Sequence, residues 1–428
     1  QAAEVKVINL DEGTGKGLED PTPAAPLGGN PGTTRGQQAY RVFKFAADIW
    51  GAILKSEVPV LDTITFQPLA CTATTATLGS AGTTSIFYFN PGADLPKGAK
   101  PNIWYHSALA DALSGTDNAD EPGDPDIASR FNGEIGKPGC LEGSGWYFGL
   151  DGRTPASQTN FLNVVLHEMG HGLGFSGFNS LSAGTQFDGV PDIYSSFVKD
   201  NATGKAWTAM TDAERKAAAL DDNHLVFTGP NVKAEAPLAL GPPTVLRIAA
   251  PAVAAGDYEF AQASFGPAAT ADNFRGAVVQ AQSAGLADGC APLDNAAAVA
   301  GHIALIDRGS CDFTVKVLNA QAAGASGVLL ANNQASAVTP GGTPAQAVTI
   351  PTILVSQTDG AKLKASLDGL AANGIGNGQG LAGADAAGNV KLYAPSVLAQ
   401  GSSFSHYDTR LSPNAIMEYA ITPTLAGQ

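Results

Sequence analysis

The chain of 428 residues is short of charge, with only 15% Asp, Glu, Lys and Arg. Basic residues are the scarcer sign, 24 against 39, which leaves a net charge of −15. That balance excludes nucleic acid and an anionic membrane surface as principal partners. No apolar run reaches the roughly 18–20 residues needed to cross a bilayer, so no membrane span is expected. Aromatic residues make up 7%, yet a hydrophobic content of 44% suffices for packed cores and excludes wholesale disorder. There is no GxSxG and no Cys with a nearby His, which argues against a nucleophilic hydrolase. There is also no CxxC. The four cysteines, Cys71, Cys140, Cys290 and Cys311, are widely spaced, and an even count of this kind fits two disulfides in an oxidising compartment. Three pairings are possible, and chain proximity favours Cys71–Cys140 and Cys290–Cys311. Gln1 has no signal-peptide pattern behind it, so the chain is either cytosolic or a processed secreted product; cysteine usage favours the secreted, extracellular choice.

What is present falls into segments of different character. Residues 1–36 open with Val5, Val7 and Ile8, an edge strand, and continue as a Gly/Pro/Asp-rich extended stretch. Phe43, Ala47, Trp50 and Leu54 recur at helical spacing within 37–54. Residues 58–69, 84–89, 102–105 and 145–150 read as strands. The loop 115–127 carries five acidic groups; calcium, which takes oxygen donors, is one reading, and a solvated acidic loop is the simpler one. From about residue 238 to 392 charge thins. Between 241 and 392 there are seven Lys/Arg and ten Asp/Glu, a net of −3, so −12 lies on the rest of the chain. Within that block, 301–333 reads strand, turn, helix, strand, and 349–367 reads strand then helix. Residues 369–390, rich in Gly, Ala and Asn, read as a loop.

The most informative segment is SQTNFLNVVLHEMGHGLGFSGF, residues 157–178. Ser157 or Thr159 can cap a helix whose apolar stripe is Leu162, Val165, Met169 and Leu173. His167 and His171 share another face, with Glu168 beside them, and Gly174 follows where the helix can release the chain. This is HExxH: two imidazoles four residues apart can hold one zinc ion, and the intervening Glu is placed to take a proton from an activated water. A hydrolytic zinc needs a third protein ligand. In the compact HExxHxxGxxH pattern that ligand would stand at residue 177, which is Gly. Asp188 and Asp192, 17 and 21 residues after His171, are carboxylate candidates; a distant His is the alternative. Of the other histidines, His302 falls in a strand pattern, and His106 and His224 suit local hydrogen bonds. His406 stands eleven residues before Met417 in SHYDTRLSPNAIMEY.

With HEMGHGLGFSGF and SHYDTRLSPNAIMEY together, the chain resembles the leishmanolysin-type branch of metzincin metallopeptidases over roughly residues 1–237 and 393–420. The resemblance implies His167, His171 and His406 as zinc ligands, Glu168 as general base, Gly174 as the turn out of the active-site helix, and Met417 as the Met-turn residue forming an apolar floor. It also implies that an extended substrate pairs with an edge strand, for which 102–105 is the candidate. A Tyr two residues after that Met binds zinc or steadies the intermediate in some metzincins; here it is Tyr419, outside the usual leishmanolysin pattern, and packing is its default role. Residues 301–333, IALIDRGSCDFTVKVLNAQAAGASGVLLANN in their main part, resemble a protease-associated domain. In that family the Cys of the RGSC-like turn often pairs with an upstream Cys, which supports Cys290–Cys311.

The implied architecture is an α+β metzincin-like catalytic domain, a twisted sheet plus an active-site helix, split by an inserted α/β protease-associated domain. Its parts are residues 1–237, the insertion 238–392, and 393–428 with the third ligand and Met-turn. Domains with adjacent termini are tolerated as insertions. Metzincins usually carry a helix after the Met-turn; only nine residues follow Tyr419, including Pro423 and Gly427, so that helix is expected to be lost, replaced or removed. The expected function is a secreted, monomeric zinc endopeptidase acting on proteins or peptides. The competing expectation is an inactive peptidase-like binding or adhesion protein that docks partners on the protease-associated domain.

Overall fold

The computed structural model describes residues 2–335 and 338–420, so residues 421–428, where the question of a helix after the Met-turn falls, lie outside it. The chain forms two compact units, one from residues 1–239 with 389–428, the other from 240–388. Residues 389–392 go with the first unit because Val390–Lys391 pairs antiparallel with Leu225–Phe227. No helix among the described residues is long and apolar enough to cross a membrane.

The first unit is built on a four-stranded sheet. Val5–Asn9, Val60–Gln67 and Ile127–Asn132 run parallel in that order, and Gly79–Thr83 closes the row antiparallel to Ile127–Asn132. Two helices pack on it, Arg35–Ile53, capped by Thr34, and Phe161–Leu173. The cap of the second is Asn160, whose side chain accepts from the Asn163 N–H at 2.9 Å. Neither Ser157 nor Thr159 serves, because Thr159–Asn160 is extended and pairs with Trp146–Tyr147. The core centres on fully buried Phe131, with Phe43 and Phe161 edge-on to it at 5.9 and 5.1 Å between centroids. Cys71 and Cys140 are bonded, and tie the loop after Val60–Gln67 to the one after Ile127–Asn132.

Asp62 is wholly buried in the second strand of this sheet and accepts from Ser129 Oγ. Burial, with Asp126 adding repulsion, pushes its carboxyl from 3.8 up to about 7. The native state therefore keeps a proton that the unfolded chain has released. Stability falls as pH rises from about 4 to about 7 and levels off above. Asp62→Asn should raise Tm by a few degrees at pH 8 and by much less at pH 4.5. Equal shifts in melts at the two pH values would show that Asp62 does not carry this penalty.

The second unit holds an eight-stranded mixed sheet. Four strands, Arg275–Gln280, Ile303–Asp307, Gly327–Ala331 and Thr352–Val355, are parallel neighbours, with helix Phe313–Ala322 crossing between the second and third. The near-continuous burial of the last three is what a sheet covered on both faces requires, whereas Arg275–Gln280 is exposed over its first half. The expected loop 369–390 contains a strand, Ala371–Asn377, paired antiparallel on both sides. Its sequence, AANGIGN, has little strand preference of its own, and the neighbours supply the ladder. Cys290 and Cys311 are bonded. Beneath them Lys316, 0% exposed, donates to the carbonyls of Asp288 and Gly309. The two loops that carry the cysteines are thus tied together by a second link.

Candidate metal centre

Helix Phe161–Leu173 packs against the helix Arg35–Ile53 and against the strands Gly79–Thr83 and Ile127–Asn132. Glycine permits that packing. A Cβ on Gly172 would lie 2.3 Å from Ile127 Cγ2, and one on Gly170 would lie 2.6 Å from Met417 Sδ. Gly174, with φ of +139°, ends the helix.

His167 and His171, one turn apart, meet His406 from a chain position 235 residues further on. Their Nε2 atoms form a near-equilateral triangle, 3.0 Å between His167 and His171 and 3.1 Å from each to His406. On the far side of each ring, Nδ1 meets a backbone carbonyl: Ile416 at 2.7 Å for His167, Phe175 at 2.8 Å for His171, Ser402 at 2.8 Å for His406. A carbonyl only accepts, so each Nδ1 carries the hydrogen, and a neutral ring then points a lone pair from Nε2. Burial holds the rings neutral. It lowers His167 to about 4 and His406 to about 2, with His171 disfavouring charge on both and His167 adding to the effect on His406, and it lowers His171 as well. Three buried lone pairs facing one point with no N–H between them repel, and a cation removes the conflict. Ligands on a tetrahedral zinc at about 2.0–2.1 Å stand about 3.3 Å apart, so the observed spacing fits with a small relaxation. The nitrogen donor set suits zinc as well.

Glu168 is 7% exposed and accepts a hydrogen bond from the Ala81 backbone N–H on the strand Gly79–Thr83. A Cβ on Gly79 would stand 3.1 Å from its Oε1, so glycine lets the carboxylate reach the strand. Burial raises its pKa to about 8, and an adjacent cation would bring it down again. The histidines and Glu168 line a cleft of about 980 Å³, whose walls include residues 75–81, Asn163 and Val164 of the helix Phe161–Leu173, residues 400–402 and 405–406, and residues 418–420.

Met417, 4% exposed, lies under the helix, and its neighbour Ile416 supplies the carbonyl to His167. Gly170→Ala should therefore force the buried Met417 thioether to repack and cost about 1–3 kcal/mol. The expected result is a Tm lower by several degrees and weaker metal retention in a chelator competition; unchanged values in both would refute the contact.

The other candidates stand elsewhere. Asp192 is buried but committed, accepting from Phe178 N, Ser195 N and Ser195 Oγ. Asp188 is in a short turn with φ of +49°. Among the described residues, the one group of three or more ligand side chains that converges is the histidine triad; neither aspartate joins it, and the carboxylates of 115–127 form no such group. Tyr419 lines the cleft, 44% exposed, and stacks on Tyr393 at 4.3 Å. His224 pairs with Asp221, and buried His106 pairs with Ser176 Oγ at 2.9 Å. The strand Trp104–His106 is not a free edge. Ile86–Tyr88 pairs on one side, and Pro191 and Ile193 bond to Trp104 on the other. The open edge beside Glu168 is Gly79–Thr83, which the sequence showed only as a Gly/Ser/Thr stretch without alternation. The three carbonyls that orient the imidazoles carry no side-chain signature at all.

Residues 273–363 match the family described as PA domain. This segment is a PA domain. The chain is 37% identical over 83 residues to signal peptide peptidase-like 2 of Arabidopsis thaliana, covering 19% of this chain and 15% of that protein. It is 33% identical over 138 residues to vacuolar-sorting receptor 2 of the same plant, covering 28% and 22%, and 42% identical over 76 residues to vacuolar-sorting receptor 1 of Pisum sativum, covering 16% and 12%. The chain thus spans about a fifth or less of the length of these relatives. Among solved structures, a zinc aminopeptidase from Bacillus subtilis is similar at 22% identity over 35% of this chain and 37% of its own, with a TM-score of 0.25. An aminopeptidase from Aneurinibacillus sp. strain AM-1 is similar at 20% identity over 34% and 36%, with a TM-score of 0.22. Likeness of that extent carries no chemistry over to the histidine cleft.

Proposed function

We propose that the chain is a zinc-dependent endopeptidase of the leishmanolysin-like metzincin type, its catalytic part interrupted by the PA domain, acting in an oxidising secretory or extracellular compartment. The observation that carries this reading is the convergence of three neutral imidazole lone pairs beside a buried carboxylate on an open strand edge. The two disulfides, with relatives named as vacuolar-sorting receptors, support the compartment.

His167, His171 and His406 would hold the metal, each ring fixed by its carbonyl. Zinc, when bound, supplies Lewis acidity toward a water and a peptide carbonyl. Glu168 accepts the proton of the attacking water at a carboxylate oxygen, then returns it to the departing amine nitrogen. Gly79–Thr83 ends the sheet on the cleft side, and apart from the Ala81 N–H that donates to Glu168, its outer edge is where an extended peptide can add as a further strand. Met417 gives the site an apolar floor.

The matches to vacuolar-sorting receptors favour one other reading, a binding protein acting through its PA domain. One experiment separates the two. Purified protein should bind one zinc per chain and hydrolyse a denatured protein substrate, lose that activity to a chelator, and regain it with zinc. One equivalent of zinc without any hydrolysis would favour the binding protein; no zinc would remove the metal site.

A further inference from the structure

Beyond the histidines and Glu168, the cleft is unbalanced in charge. Among its described lining residues there is no lysine or arginine, and there is one further carboxylate, Glu418. Glu418 is 2% exposed. Its oxygens accept from Asn414 Nδ2 at 2.9 Å and from Ala415 N at 2.8 Å, both within its own turn. Among the described residues no lysine or arginine acts on it, and burial with Asp408 raises its pKa to about 7. A buried carboxylate in this state gains from any cation that reaches it.

A second group in the same cleft lacks a partner. Asn163, one helical turn before His167, is nine-tenths buried, and among the described residues its amide nitrogen has no hydrogen-bond partner. Nothing fixes which end of that amide faces the cleft, so it can turn its carbonyl to a donor. Much of the remaining wall is Thr, Ser and Gln, with Leu78, Leu141 and Val164 its larger aliphatic members. An aliphatic side chain entering here would offer nothing to the Asn163 amide or to the uncompensated Glu418 carboxyl, which is unfavourable. A guanidinium or ammonium group brings both the charge that Glu418 lacks and donors for the amide carbonyl.

We propose that the cleft selects peptides with arginine or lysine next to the scissile bond, with Glu418 the specificity-determining carboxylate and Asn163 its companion. This rests on the peptidase reading above. The charge of −12 on the chain outside residues 241–392 acts in the same direction by attracting basic peptides.

The test uses the full chain, zinc-loaded, in a Glu168→Ala background that binds without turnover. Fluorescent peptides differing only in Arg, Gln or Leu beside the scissile bond are titrated by anisotropy. The Arg peptide should bind on the order of tenfold more tightly than the Leu peptide, with Gln between. Glu418→Gln should remove most of the Arg advantage, and high salt should shrink it. Asn163→Leu should move the preference toward Leu, and this variant keeps the question open to test if Glu418→Gln fails to fold. Equal or Leu-favouring binding overturns the inference, as does an Arg preference that survives in folded, zinc-bound Glu418→Gln. A parallel digest of a peptide library by the wild-type chain separates the two levels. Cleavage without a basic preference sinks this inference alone, whereas no cleavage by zinc-loaded protein sinks the peptidase reading and this inference with it.

Discussion

Glu168→Gln should lower kcat on a denatured protein substrate by about 10²–10⁴-fold, with bound zinc still one per chain. The carboxylate stands beside the histidine triad and is not part of it, so its removal leaves the three Nε2 donors and their carbonyl partners in place. Glutamine keeps the shape and the acceptor for the Ala81 N–H. What it loses is basicity: the amide cannot take a proton from water or hand one to a leaving amine. The drop should therefore fall on kcat more than on KM. Thermal stability should hold or rise, because burial disfavours the charge of Glu168 and the substitution removes it. Activity equal to wild type would end the general-base assignment, and loss of zinc would place Glu168 among the ligands.

Parts of this site were legible because local periodicity encodes them. His167 and His171 share a helix face by their spacing of four, and the apolar residues around them announce a buried helix. In the second unit three strands were legible for the same reason, since Ile303–Asp307, Gly327–Ala331 and Thr352–Val355 are short, largely apolar runs. His406 was legible only through resemblance, since nothing local links it to a helix 235 residues earlier. What stayed hidden has backbone causes. Ala371–Asn377 is a strand because two neighbours supply its hydrogen bonds, against its own Gly-rich composition. Trp104–His106 has strong strand residues, yet Pro191 and Ile193 occupy its outer side, and the open edge falls to the weak sequence Gly79–Thr83. There the lack of side chains is what allows Glu168 to approach. The carbonyls of Ile416, Phe175 and Ser402 set the tautomer of every imidazole, and a carbonyl belongs to every residue type.

His406→Ala should abolish zinc retention, weakening affinity by more than about 100-fold, and with it all hydrolysis. Two imidazoles four apart on a helix remain, and the third donor comes from a segment tied to the site by Ser402 on one side and by the His167–Ile416 bond on the other. The metal-free protein should respond in the opposite sense. Without an ion, His406 contributes a buried ring whose lone pair faces two others, and its pKa is pushed to about 2 by burial and by its neighbours. For a base depressed in the native state, stability is present above the unfolded value of about 6.5 and is lost as pH falls below it. Removing the ring should therefore cost the metal-free chain least in acid. Zinc at saturating concentration should raise Tm in the wild type and leave His406→Ala unmoved, since an ion stabilises only the state that binds it. Asp192→Ala supplies the contrast. It strips the acceptors of Phe178 and Ser195, so its Tm should fall, yet its zinc-induced shift should persist. The reverse pattern, a shift kept in His406→Ala and lost in Asp192→Ala, would assign the third ligand to the aspartate, and the chain between the two halves of the site would no longer be an insertion between ligands.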